Sequence, residues 1–142
     1  MNDIMDWNAC LRKNARPAEK DDNIINSLIE SADANLKVTQ SIKQENISYS
    51  SIVVLAYDSL RMLLEALALK TGYKIYNHEC YYSFLKEVLH KDDWADKFNP
   101  ARLIRNSVNY YGKRLNKDEF EVIYFDILFL IPLIKEMVIK NG

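Results

Sequence analysis

The sequence predicts an all-α fold, an antiparallel up-and-down four-helix bundle with one additional short helix, and three observations carry that prediction. Three glycines and three prolines in 142 residues are too few turn-makers for the many short hairpins of an all-β chain. Apolar residues recur at three-and-four spacing through several long segments. No repeat, low-complexity stretch or linker divides the chain, so residues 1–142 are expected to form one domain, with 1–20 an arm carrying the short helix and 21–142 the bundle. A chain of this length can bury about two-thirds of the surface its unfolded form exposes.

The elements follow in order. A short helix is expected over about Met5 to Lys13. In "DDNIINSLIESADANLKVTQSIKQ", Ile24, Ile25, Leu28, Ile29, Ala32, Leu36 and Thr39 fall on one helical face, and Asp21 or Asp22 can cap it at the positive end of its dipole. "SYSSIVVLAYDSLRMLLEALALKTGYK" can begin at Ser48 or Ser50 and runs apolar on several faces until Gly72, which suits a C-terminal cap. It is predicted to be the central, most buried helix. A third segment, about Glu79 to His90, carries Tyr82, Phe84, Leu85, Val88 and Leu89 and is expected to stop at "KDDW". The fourth is predicted to begin with Asn99 as cap and Pro100 in its first turn, and to end at Gly112. For the last helix, Asn116 and Glu119 form a capping-box pattern. It runs to about Lys140 on Phe120, Ile123, Tyr124, Ile127, Ile131, Ile134 and Val138, and Pro132 predicts a kink or local break near Phe129 to Pro132.

Charge and composition narrow the function classes. A formal net charge of −1 argues against attraction of the whole surface to nucleic acid, yet the charge is uneven. From Pro100 to Lys117 there are five bases, Arg102, Arg105, Lys113, Arg114 and Lys117, and no acid. The longest apolar run, "ILFLIPLI", is far short of a membrane span, and the opening residues match neither a signal peptide nor an anchor, so no membrane association is expected. Cys10 and Cys80 have neither the density of a disulfide scaffold nor the spacing of a zinc site. They are expected to be buried small hydrophobes in a reduced, cytoplasmic protein.

His78 and Glu79 are adjacent, which on a helix points them in different directions, and no HExxH, P-loop or GxGxxG accompanies them, so no metal and no cofactor is expected. Chemistry therefore concentrates in "RNSVNYYG", Arg105 to Gly112. On a helix Arg105 shares a face with Val108 or Asn109, and Arg102, Asn106 and Asn109 or Tyr110 share an overlapping one. Arginine and polar side chains one turn apart can hold a phosphate while aromatic rings stack on a base. The alternative is a solvated basic face whose tyrosines finish the core.

Three stretches in order carry a resemblance: "AYDSLRMLLEALALKTGYK", "NHECYYSFLKEVL" and "LIRNSVNYYGKRL". Together they resemble HEPN domains, small helical bundles often encoded beside minimal nucleotidyltransferases. The likeness covers roughly Asp21 to the C-terminus, and the third stretch is the most specific. It implies an antiparallel bundle of four or five helices that commonly dimerises with the arginine motifs of two subunits near one another. Many such proteins are metal-independent ribonucleases whose motif is Arg, a polar residue, a few residues, then His. There the His accepts the 2′-hydroxyl proton while Arg steadies the phosphate.

Carried over by residue, Arg105 and Asn106 match the motif's opening, and the position of the His falls at Asn109 or Tyr110. Asparagine cannot act as a base, and an ordinary tyrosine is ionised in about one molecule in a thousand at neutral pH. The resemblance thus implies Arg105 and Tyr110 as catalytic candidates, the latter only with a lowered pKa. Arg102, Arg105, Asn106, Asn109, Tyr110, Tyr111 and Lys113 are implied as RNA- or nucleotide-binding residues, with Tyr111 the place where a partner enzyme could attach a nucleotide. Secondary candidates are Tyr57, Asp58 and Arg61 on the central helix, with an Asp58 ion pair to Arg61 or Arg105, and His78 near the bundle's end, capping, hydrogen bonding or lining a ligand site. His90 is expected in a last helical turn without a role. The expectation is a homodimeric partner of a minimal nucleotidyltransferase that binds RNA or a nucleotide with its ribonuclease motif degenerate. The alternatives are an active ribonuclease toxin of a toxin–antitoxin pair and a non-catalytic dimerisation module.

Overall fold

The computed structural model describes residues 4–140; the first three residues of the expected arm and the last two of the expected bundle lie outside them. The chain is mainly helical, as predicted. Helix α1 spans Trp7–Lys13, α2 Asp22–Ser41, α3 Tyr49–Thr71, α4 Glu79–Ser83, α5 Asp92–Tyr111 and α6 Lys117–Ile139. Strands β1, Ala15–Pro17, and β2, Tyr73–Ile75, pair antiparallel with Ala15 opposite Ile75 and Pro17 opposite Tyr73. No helix among the described residues is long and apolar enough to cross a membrane.

Where the start signals are local, helices begin where the sequence places them. The Asp21 carboxylate accepts from the backbone N–H groups of Asn23 and Ile24, and Asp6 does the same for Ala9 at the head of α1. Both halves of the Asn116–Glu119 capping box form, at 2.9 and 3.3 Å. Gly72 and Gly112 close α3 and α5 with φ of 106° and 65°, in the left-handed region that costs glycine little. Ser48 precedes α3 without capping it through its side chain. Ser50 instead ties the α5–α6 turn to α3, its hydroxyl accepting from Leu115 N–H and donating to the Lys113 carbonyl.

Helix α3 is the centre of the bundle. It packs against α2, α5 and α6, and Ile52, Val53, Tyr57, Leu60, Leu63 and Leu64 are buried along its length. At its N-terminal end Tyr49 stacks on Phe120 with ring centroids 4.5 Å apart.

Several expectations are corrected. Helix α5 begins at Asp92 rather than Asn99: "KDDW" is its acidic first turn, and burial of Trp94, Ala95 and Phe98 extends it upstream. Pro100 therefore sits inside α5, on an exposed position where its missing N–H costs one hydrogen bond. The third segment changes pitch: after α4 a π-helical turn, Phe84–Val88, closes with Leu89 N–H donating to the Phe84 carbonyl. His90 then turns the chain at φ 57° instead of finishing a helix. Of the kink or local break expected near Pro132, the break does not occur: helix α6 is continuous through the proline, which sits at an exposed position. Finally, Cys10 and Cys80 are joined in a disulfide that fastens α1 to α4. Their pairing removes the support that unpaired thiols lent to a reduced compartment.

Candidate functional site

Helix α5 presents Arg102, Arg105, Asn106 and Tyr110, at helical spacing, to one side of a cleft of about 380 Å³. The opposite side is built by parts of the chain that lie far away in sequence. Asn14, the C-cap of α1, comes from the arm, and Tyr76, Asn77 and His78 follow β2. The β1–β2 pairing brings them together, and it is extended by Tyr76 N–H donating to the Asn14 carbonyl at 2.7 Å. The disulfide holds the same two segments from behind.

Tyr57 lies behind the lining residues His78 and Arg105. It is buried and stacks on Phe98 at 6.0 Å, and its hydroxyl lies 3.3 Å from His78 Nδ1. The Arg105 guanidinium sits 5.5 Å above the centre of the same ring. Its Nη2 is 3.8 Å from Asp58 Oδ1, at the outer limit of an ion pair. Its Nε is buried and has no hydrogen-bond partner among the described residues. Such an orphaned donor costs roughly 1–3 kcal/mol, more where the group is charged. Arg102 is better satisfied: Nε and Nη2 both donate to Asn99 Oδ1, at 3.1 and 3.0 Å, which fixes its side chain at the cleft wall.

The same cations act on His78. Burial and the positive charges of Arg61 and Arg105 hold its pKa below the ordinary imidazole value, against a smaller opposing pull from Asp58. Burial drives the Tyr57 and Tyr81 phenols well above the usual tyrosine value, so both stay protonated. The cleft thus holds two guanidinium groups, a neutral imidazole and three primary amides.

No family model, curated protein or solved structure matches this chain. The site is therefore read from its own geometry. Of the expected residues, Arg102, Arg105, Asn106, Tyr110 and His78 line the cleft, while Tyr57 and Asp58 meet Arg105 behind it and the Tyr57 hydroxyl meets His78. Asn109 and Tyr111 are exposed and do not line it. Lys113 is engaged elsewhere, 2.7 Å from Glu119, whose carboxyl is held below the usual range by hydrogen bonds from Lys113 and the Asn116 backbone. The Arg61 guanidinium pairs with Glu65 at 3.4 Å, and Lys74 reaches the same carboxylate, so Arg61 reaches the site through its charge alone.

His78 does not cap α4; Asn77 does, accepting from Glu79 N–H at 3.0 Å. That frees the His78 side chain to turn toward Tyr57. Asn14, Tyr76 and Asn77 are the residues that sequence reasoning missed. The Asn-x-Glu spacing before α4 could have identified Asn77 as a cap, but nothing local marks Asn14 or Tyr76 as neighbours of Arg105.

Proposed function

We propose that this chain is a HEPN-type protein, a single domain built as an up-and-down bundle on α2, α3, α5 and α6, that binds RNA or a nucleotide at the Arg105 cleft. The observation that carries the reading is the buried, unpartnered Nε of Arg105, set in a concave site beside Arg102. A phosphate oxygen on the Arg105 guanidinium would complete the neutralisation that Asp58, at 3.8 Å, begins. Tyr76 and Tyr110 line the same cleft with half or more of their surface exposed, which suits stacking on an unpaired base. Three amides, on Asn14, Asn77 and Asn106, can meet base or ribose edges. Homodimerisation has support in exposed apolar residues, Leu103 on α5 and Val122, Phe125 and Phe129 on α6. A minimal nucleotidyltransferase is the partner we assign, which would place the protein in the cytoplasm.

The test is fluorescence anisotropy with a short labelled single-stranded RNA of mixed sequence, across a salt series. Arg105→Ala is expected to weaken binding by about tenfold or more and to reduce the salt slope by about one. Asp58→Asn should tighten binding a few-fold, because it removes the competing anion. Affinity indifferent to Arg105→Ala would overturn the assignment.

A further inference from the structure

We propose that the N-terminal arm, with α1 and β1, is a redox-gated wall of the Arg105 cleft: the Cys10–Cys80 disulfide seats it, and exchange with a dithiol releases it and weakens binding. The coupling to affinity rests on the RNA-binding reading above; the gate itself does not.

Each side of the disulfide carries its own share of the wall. Asn14 lines the cleft just after Cys10, and Tyr76, Asn77 and His78 line it just before Cys80. Arg16 of β1 sits 5.6 Å over the centre of the Tyr76 ring, so the arm also steadies an aromatic that faces the cleft. The opposite wall belongs to α5, which packs on α3 and α6.

Apart from that bond, the arm is seated through short elements. Helix α1 has seven residues and β1 three, in a sheet of two strands, and elements of that size do not persist alone. Ahead of Cys10, the Trp7 ring packs on Tyr73 and Phe84 at 5.1 and 5.8 Å, and its N–H donates to the Glu87 carboxylate at 2.8 Å. The Ser83 hydroxyl donates to the Met5 carbonyl. Past Cys10, Asn14 is held by the β1–β2 pair, by Tyr76 N–H on its carbonyl, and by Ala18 N–H donating to the Gly72 carbonyl at 2.9 Å. The arm packs chiefly on α4, the π-helical turn and β2, so it can lift off while α2, α3, α5 and α6 stay packed. The disulfide therefore acts on a local equilibrium as well as on the global one.

The exchange step balances. Cys10 and Cys80 are fully buried, so reaction follows fraying of the arm. A thiolate of the dithiol attacks one sulfur, and the S–S bond breaks with its electron pair on the other, which takes a proton. The donor's second thiol resolves the mixed disulfide. Two electrons and two protons pass to the protein, leaving two cysteine thiols and an oxidised donor, and a disulfide oxidant reverses the step. In a reducing compartment such a bond is held only conditionally. The coupling is reciprocal: a ligand that bridges Asn14 and Arg105 favours the disulfide by the same factor by which reduction weakens the ligand.

The experiment treats the full chain with dithiothreitol, which has only these two cysteines to act on, and then reoxidises it with glutathione disulfide. In each state backbone order is read by nitrogen-15 NMR relaxation, and affinity by anisotropy on the labelled mixed-sequence RNA. On reduction the order parameters of the Asn14, Arg16 and Ala18 amides should fall from about 0.85 to below about 0.6, while those of α3, such as Leu64, stay high. RNA affinity should drop about fivefold or more and return on reoxidation. The double variant Cys10→Ala, Cys80→Ala should match the reduced protein with or without dithiothreitol, and circular dichroism confirms that it keeps its helices. An arm that stays ordered after reduction overturns the gate. An arm that lifts off with RNA affinity unchanged overturns its control of the cleft. If neither redox state binds RNA in an Arg105-dependent way, the binding reading and the coupling fall together, and the order parameters alone decide the gate.

Discussion

Tyr49 and Tyr57 stand two turns apart on α3 and do opposite work. Tyr49 stacks on Phe120, which stacks in turn on Tyr124, so three aromatic rings lock α3 to α6. Tyr57 stacks on Phe98 but lends its hydroxyl to His78 and its ring face to Arg105. At the first station burial closes the structure. At the second it leaves a demand unmet, because the same low-dielectric surroundings that keep the phenol protonated also hold a guanidinium nitrogen without a partner among the described residues. The difference teaches that burial in this bundle has two products, cohesion at the α3–α6 contact and an unmet electrostatic demand at the α3–α5 contact.

The comparison breaks most sharply at Tyr49. Truncation to alanine removes a ring that is only 7 % exposed and opens a cavity against Phe120. Denaturant unfolding should show a loss of about 3–5 kcal/mol for Tyr49→Ala. Next in size is the disulfide. Cys10 and Cys80 are separated by 70 residues and fasten the arm that supplies Asn14, so the closed loop restricts the unfolded chain strongly. Unfolding curves with and without a thiol reductant should differ by about 3 kcal/mol, and superposed curves would show that the covalent link adds nothing to packing that already holds the arm. Tyr57→Phe is the milder counterpart of Tyr49→Ala: the ring stays and one hydrogen bond goes, so about 1 kcal/mol is expected.

These stations are not equally legible in the sequence. The caps at Asp21, Asn116, Gly72 and Gly112 belong to signals spread over a few neighbouring residues, and each forms where such signals place it, whereas the Tyr49–Phe120 stack joins two distant helices and has no local signal. The start of α5 is harder to read because Asn99–Pro100 is a strong local start signal. Burial of Trp94 and Phe98, a tertiary effect, carries the helix past it. Arg105, Arg102, Asn106 and Tyr110 are legible through helical spacing and motif, since one helix carries them all. Their partners across the cleft arrive through the β1–β2 pair and the Cys10–Cys80 link, which join residues far apart in the chain. Three-residue strands with little alternation leave no periodicity to read.

The smallest effect sharpens the contrast by pH alone. His78 is held below the ordinary imidazole value near 6.5, first by burial and then by Arg61 and Arg105. In the unfolded chain that histidine takes up a proton as pH falls through about 6.5, whereas in the folded protein it resists, so the unfolded state binds more protons in that window. Stability should therefore decline as pH drops from about 6.5 toward the folded value, and should be unaffected by His78 above about pH 7.5. Glu119 acts in a separate, lower window: its depressed carboxyl favours the folded state above the usual carboxylate range and loses that effect only in stronger acid. Urea midpoints for wild type and His78→Gln should then diverge between about pH 6.5 and pH 5, the variant falling less. Parallel curves would mean that the imidazole takes up its proton as readily in the folded protein as in the unfolded chain, so that burial and the neighbouring arginines leave it unperturbed.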